Sequence, residues 1–206
     1  MNGRVGEIVL VRHGETAWSA AGKRTSYTEL DLTPDGERQA REMGAALAGR
    51  TFVAVLCSPR LRARRSAELA GLRVTAVDDD LAEWSYGEYE GLTTPEIRAR
   101  RPGWYQWTDG CPGGESPADV SERADRVVNR ARQIEGDVLI FSSGHFLRVL
   151  TTRWLGLEVT ANARFFMLST ASLSAVGYEG TRSRPVIRFW NDTDYLEDKP
   201  GKEKAA

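Results

Sequence analysis

The sequence predicts a layered α/β domain built on a parallel or mixed sheet. Two observations predict it: three short, wholly apolar runs, and stretches of helical period lying between them. The runs are residues 8–11 (IVLV), 53–57 (VAVLC) and 138–141 (VLIF). Strands covered on both faces read this way, whereas half-exposed strands alternate apolar with polar residues. Each run leads into a polar segment: RHGET, SPRLR and SSGHFLR. Open α/β sheets gather ligand sites at the carboxyl ends of their strands, so these three segments are expected to converge.

The helices follow in chain order. Thr33, Pro34 and Asp35 supply an N-cap, a proline at the first helical position and an acid in the first turn. Ala40, Met43 and Leu47 then form an inward stripe, and Gly49 is the expected stop. Residues 60–70 read as a second helix. Ser116 to Asp119 resembles a capping box with Asp in place of Glu. It precedes a helical stripe of Val120, Ala124, Val127, Ala131 and Ile134 that Gly136 should end. A helix over 146–155 comes next, with strands expected near 164–169, 172–178 and 185–190.

The stretch from Trp84 to Glu115 departs from this pattern. It carries Trp84, Tyr86, Tyr89, Trp104, Tyr105 and Trp107 amid glycine, proline and acids. Two readings stand: these residues wall or cover a cleft, or they pack an insertion onto the domain. The expected organisation is one domain over 1–196 with 84–115 as a cleft-covering insertion. Residues 197–206, charged and holding Pro200 and Gly201, should form a flexible tail.

Composition narrows the function. The 206 residues hold 28 Lys plus Arg against 29 Asp plus Glu, a formal charge of -1. Such a balance gives no global attraction for nucleic acid or an anionic membrane, so neither is an expected partner. Any anion selectivity must be local, and the cations are mostly arginine, which suits bidentate phosphate recognition. No run of 18 apolar residues occurs, so no signal peptide or membrane span is expected. Cys57 and Cys111 form no CxxC motif; a reduced, cytoplasmic setting is the expectation. Asp78, Asp79 and Asp80 read as a solvated charge run, and with no cluster of His or Cys neither metal nor cofactor is expected.

His13 stands directly after the first strand. Alone, a histidine there is more often a packed, hydrogen-bonded residue. Arg12 beside it adds a forked cation, and Gly14 permits close backbone approach. The stretch LVRHGETAWS resembles the signature of the histidine phosphatase superfamily, the phosphoglycerate-mutase-like proteins. The resemblance continues through LDLTPDGERQA (30–40), CSPRLRA (57–63), LAEWSYGEYEGLT (81–93), GGES (113–116) and VLIFSSGHFLRVL (138–150). It covers about residues 7 to 178 and implies a three-layer fold with a mixed, mostly parallel central sheet flanked by helices.

The resemblance also implies roles. His13 matches the nucleophilic histidine and Arg12 its phosphate-binding arginine. Arg62 matches the second phosphate-binding arginine, and Glu83 the acid that protonates the leaving oxygen. A neutral imidazole is nucleophilic near pH 7, and a phosphoramidate is labile enough for water to regenerate the enzyme. Two guanidiniums would hold the nonbridging oxygens as charge moves in transfer. At one position the chain departs from the family. A second catalytic histidine usually stands five residues before the arginine that Arg148 matches, and Ser143 occupies that place. His145 matches an additional histidine of some relatives, not the catalytic one. Ser143 and His145 are both expected near the phosphate. A serine there should cost roughly 2–4 kcal/mol, or about 10²–10³ in rate.

The activity implied is a phosphatase acting on a small phosphorylated metabolite. The bridge from Leu92 to Glu115 is shorter than the insertion of the cofactor-dependent mutases, which disfavours a mutase. A phosphate-binding pseudoenzyme is the non-enzymatic alternative. The resemblance is to bacterial broad-specificity acid phosphatases through AEWSYGEYEGLTTPEIR, and to sedoheptulose-1,7-bisphosphatases through GKRTSYTELDLTPDGE. Ser19, Lys23, Arg24, Thr25, Trp84 and Tyr86 are the expected substrate contacts. Lys23, Arg24 and Arg60 either receive a second anionic group or are ordinary surface charges. Homodimerisation is common in the family and is carried as an expectation.

Overall fold

The structure, a computed structural model, describes residues 6–197. Among them six strands form one sheet: β1 (Ile8–Arg12), β2 (Ala54–Cys57), β3 (Ala76–Val77), β4 (Val138–Ser142), β5 (Leu173–Tyr178) and β6 (Pro185–Asp192). Their order is β3-β2-β4-β1-β5-β6. The first four pair in parallel, and β5 runs antiparallel to both β1 and β6. Arg12 faces Ser142 across the β1–β4 ladder, so the chain leaves the sheet at His13 and Ser143 side by side.

The apolar runs are covered on both faces, as their composition requires. Ile8, Leu10, Val138, Ile140 and Val176 point to one face and join a core with the 84–111 aromatics. Val9, Val11, Val55, Cys57, Leu139 and Phe141 point to the other. Successive side chains alternate between faces, so one four-residue run feeds two cores.

Eight α-helices lie among the described residues: α1 (Ala17–Ala20), α2 (Pro34–Ala46), α3 (Leu61–Leu69), α4 (Thr94–Arg100), α5 (Gln106–Asp109), α6 (Pro117–Ala131), α7 (Gly144–Trp154) and α8 (Val159–Asn162). Buried residues of α2 and α3 pack on the second core, those of α6 and α7 on the first. The result is the three-layer α/β fold. The predicted caps form as read: Thr33 accepts from Gly36, and Ser116 with Asp119 closes a capping box.

Two expectations are corrected, and one strand is added. Residues 164–169 form no strand; Ala163–Phe165 is a 3₁₀ turn, and β5 takes the ladder position beside β1. The chain there instead skirts the mouth of the site, where the Leu168 carbonyl accepts from Arg12. Helix α6 stops at Ala131, short of Gly136, because Gln133 and Ile134 hydrogen-bond three residues back and tighten the last turn. Strand β3, only two residues long, was too short to signal itself.

No helix of the described residues is long and apolar enough to cross a membrane. Cys57 and Cys111 are free and buried, and burial pushes both thiols up to about 12. The tail expected over 197–206 lies outside the described residues, apart from Glu197.

Candidate active site

A cavity of about 350 Å³ opens at the carboxyl ends of β1 and β4. His13 and Arg12 line it from β1, Glu83 and Tyr86 from the insertion, and Gly144, His145 and Arg148 from α7. Ser19, Lys23, Arg24 and Thr25 close another side.

The backbone around His13 is held from three directions. Its N–H donates to Ser142 of β4, and its carbonyl accepts from Ala171, a residue held at φ +54° before β5. Gly14 donates its N–H to Ser66 of α3. A Cβ at Gly14 would lie 2.5 Å from the Gly36 carbonyl, so the close approach foreseen there is that of α2.

Two hydrogen bonds determine the tautomer of His13. Nδ1 lies 2.7 Å from the Gly14 carbonyl, which can only accept, so Nδ1 carries the proton. Nε2 accepts from Nε–H of Arg62 at 3.1 Å, so it holds the lone pair. Burial, then Arg62 and Arg12, keep the His13 pKa well below the ordinary 6.5. The ring is therefore neutral, with its basic nitrogen beside two guanidiniums.

Those guanidiniums are mounted differently. Arg62 is wholly buried beneath His13, and its remaining N–H groups reach the carbonyls of Thr25, Ser26 and Thr28 and the Ser143 hydroxyl. It and Ser143 stand below the cavity surface rather than on it. Arg12 donates through Nη1 to Leu168, while its buried Nε has no partner among the described residues. The Arg12 guanidinium nonetheless lines the cavity, where a forked cation is a ready phosphate donor.

Glu83 is the carboxyl of the cavity. Oε1 accepts from the Trp84 and Phe146 N–H groups, and Oε2 from that of His145, placing the group over the N-terminus of α7. Oε2 keeps a second lone pair, the place left for a proton. Arg123 steadies this loop by donating to the carbonyls of Asp80, Ala82 and Glu83 while clasping Glu115.

The aromatics of the insertion mostly pack. Trp84, Tyr89, Trp104 and Trp107 are buried in the core, so the packing reading wins for them. Trp84 is a correction: expected to contact substrate, it is fully buried, and its indole N–H donates to the Glu115 carbonyl. A ring that large, packed edge-on against Trp107 at 5.7 Å, is worth more in the core than at a wet surface. Tyr86 packs and also lines the cavity. Arg60 does not join Lys23 and Arg24; it opens on another cavity beside Tyr27 and Arg123 and pairs with Glu29 at 3.3 Å.

Arg148 was missed. It served only to fix a register, yet it lines the cavity, lies 4.4 Å over the Trp107 ring and donates to the Ala163 and Arg164 carbonyls. Burial brings its pKa to about 10, so it remains cationic near neutrality. Its place one helical turn past Gly144 was the available signal. Among the described residues no group of three or more His, Cys, Asp or Glu could hold a metal ion.

Residues 8–193 match the model of the histidine phosphatase superfamily, branch 1. The chain is 48% identical over 186 residues to an acid phosphatase of Mycobacterium tuberculosis, covering 87% of this chain and 91% of the relative. It is 37% identical over 185 residues to sedoheptulose 1,7-bisphosphatase of Saccharomyces cerevisiae, covering 73% and 68%. A probable phosphoglycerate mutase of Erwinia tasmaniensis is 30% identical over 207 residues, covering 93% and 95%. Among solved structures, that of a Mycobacterium tuberculosis open reading frame superposes with a TM-score of 0.86 at 44% identity, over 90% of this chain and 97% of that one. A mycobacterial glucosyl-3-phosphoglycerate phosphatase gives 0.80 at 25% identity, over 92% and 100%.

Proposed function

The chain belongs to the histidine phosphatase superfamily and is a phosphatase, and from that premise we propose that it hydrolyses small phosphomonoesters through a phosphohistidine at His13. The observation that carries this reading is the pair of hydrogen bonds that leave the proton on Nδ1 and the lone pair on Nε2.

In the first step Nε2 attacks phosphorus and the bond to the ester oxygen breaks. Glu83 gives that oxygen a proton from Oε2, and the alcohol departs. The Arg62 Nε–H, which rests on Nε2, turns to a phosphoryl oxygen once the lone pair is used. Arg12, which lines the cavity, offers its guanidinium to another. Water then attacks phosphorus and gives its proton to Glu83, the bond to Nε2 breaks, and inorganic phosphate leaves. No step calls for a metal ion. Ser143 stands where the family usually has its second catalytic histidine, so one cationic donor is replaced by a hydroxyl near Arg62. Turnover continues at a reduced rate. The sedoheptulose bisphosphatase relative and the cations Lys23, Arg24 and Arg148 support a phosphorylated metabolite with further oxygen functions as the substrate.

The test is turnover of p-nitrophenyl phosphate, with alkaline quenching and mass analysis of the peptide that holds His13. Phosphate on residue 13 during turnover, and loss of both in His13→Ala, is the expected result. Hydrolysis with an unmodified His13 would overturn the mechanism.

A further inference from the structure

The chemistry above leaves one pair of titratable groups in the cavity, buried Tyr86 and half-buried His145, without a task. Tyr86 and His145 both line the cavity, and the Tyr86 hydroxyl stands 2.7 Å from Nδ1 of His145. The surroundings decide which of them donates. Burial, then Glu83, hold the Tyr86 pKa well above the ordinary 10, so the hydroxyl keeps its proton. Among the described residues Nδ1 of His145 is the acceptor available to it. A hydroxyl donating to Nδ1 leaves the imidazole proton on Nε2. The ring takes up no second proton near neutrality: burial, then Arg24, Arg148 and Arg12, hold its pKa well below 6.5. Tyr86 and Trp107 pack against it, with centroids 5.9 and 5.3 Å away. Among the described residues its Nε2 has no partner.

The two imidazoles serve different ends of the cavity. His13 accepts from Arg62 at 3.1 Å, whereas the Tyr86 and Trp107 rings that pack on His145 carry Arg24 at 5.7 Å and Arg148 at 4.4 Å. Glu83 joins the two ends, because its Oε2 accepts the His145 backbone N–H. The proton of Glu83 goes to the leaving oxygen, and His145, whose backbone N–H rests on the same carboxyl, shares the cavity wall with Arg24 and Arg148, along which the alcohol would extend.

We propose that Tyr86 and His145 form a specificity-determining pair, in which Tyr86 fixes His145 as a neutral Nε2–H donor to a hydroxyl or carbonyl oxygen on the substrate's alcohol. This rests on the phosphatase reading and adds recognition of the leaving group. A neutral donor suits an uncharged oxygen, and an alcohol that fills the cavity but lacks that oxygen leaves the N–H desolvated and unpaired.

Glycerol 3-phosphate and n-propyl phosphate test this, since they share charge and chain length and differ in the hydroxyls. The wild-type kcat/KM should favour the glycerol ester about tenfold. Tyr86→Phe and His145→Phe should each bring the ratio close to one. His145→Gln, whose amide N–H takes the place of Nε2–H, should keep most of the preference. A wild type without preference, or a His145→Phe enzyme that retains it, overturns the proposal. So does an equal loss on both esters, which would put the contact on the phosphoryl group. Tyr86→Phe removes a single oxygen and keeps the test available should His145→Phe fail to fold. Mass analysis of residue 13 with p-nitrophenyl phosphate, run alongside, decides the phosphohistidine mechanism separately from the ratio.

Discussion

His13 offers a neutral imidazole down to well below pH 6.5, because burial and two guanidiniums oppose a second proton. The sign of the pH effect follows. Falling pH removes activity only when Nε2 is protonated, so the acid limb of kcat/KM due to His13 should lie well below 6.5. A limb at 6.5 or above, tracked with the ring's NMR titration, would contradict the buried setting. Ser143 sets a second expectation. Its hydroxyl is 3.4 Å from Nη2 of Arg62, so an imidazole at that position would reach the same region. Ser143→His should raise kcat by about 10²–10³ if the missing donor acts in the transition state. An intact pocket with unchanged turnover would show that the serine costs nothing.

Among the elements, α6 separates stability from positioning. Its Ser116–Asp119 capping box lies at an exposed end, and Ser116→Ala should cost about 1 kcal/mol of unfolding free energy with kcat unaltered. Arg123, on the same helix, is 9% exposed and ties α6 to Glu115 and to three carbonyls of the loop that carries Glu83. Arg123→Met should cost about 3 kcal/mol, since Glu115 is left half-buried without its partner, and should lower kcat as well. Urea unfolding and steady-state kinetics on the two variants check both. Equal kinetic effects would mean that Arg123 does not position Glu83.

Across the whole molecule, both histidines of the chain, His13 buried and His145 half-buried, are neutral. Each has a folded-state pKa below its unfolded value, so the unfolded chain binds more protons as pH falls under 6.5. Stability is complete above 6.5 and is lost toward the folded pKa values, by up to about 1.4 kcal/mol per pH unit for each histidine. Denaturant unfolding from pH 7 to 5 should show this slope, and His145→Gln should shrink it. Local pattern by itself determined a good deal of the protein. The buried strands follow from runs such as Ile8 to Val11, the helix starts from Thr33 and Ser116, and the convergence of RHGET, SPRLR and SSGHFLR from parallel strand ends. These depend on neighbours a few residues apart, which periodicity and capping chemistry report. Only the tertiary structure decided the rest: the tautomer of His13, the place of Arg62 beneath it, the role of Arg148, and the burial of Trp84. Those outcomes rest on contacts such as Arg62 to His13, 49 residues apart, and Glu83 to the backbone of His145, 62 apart. Packing of whole layers sets such distances, and no local spacing of residue types encodes them.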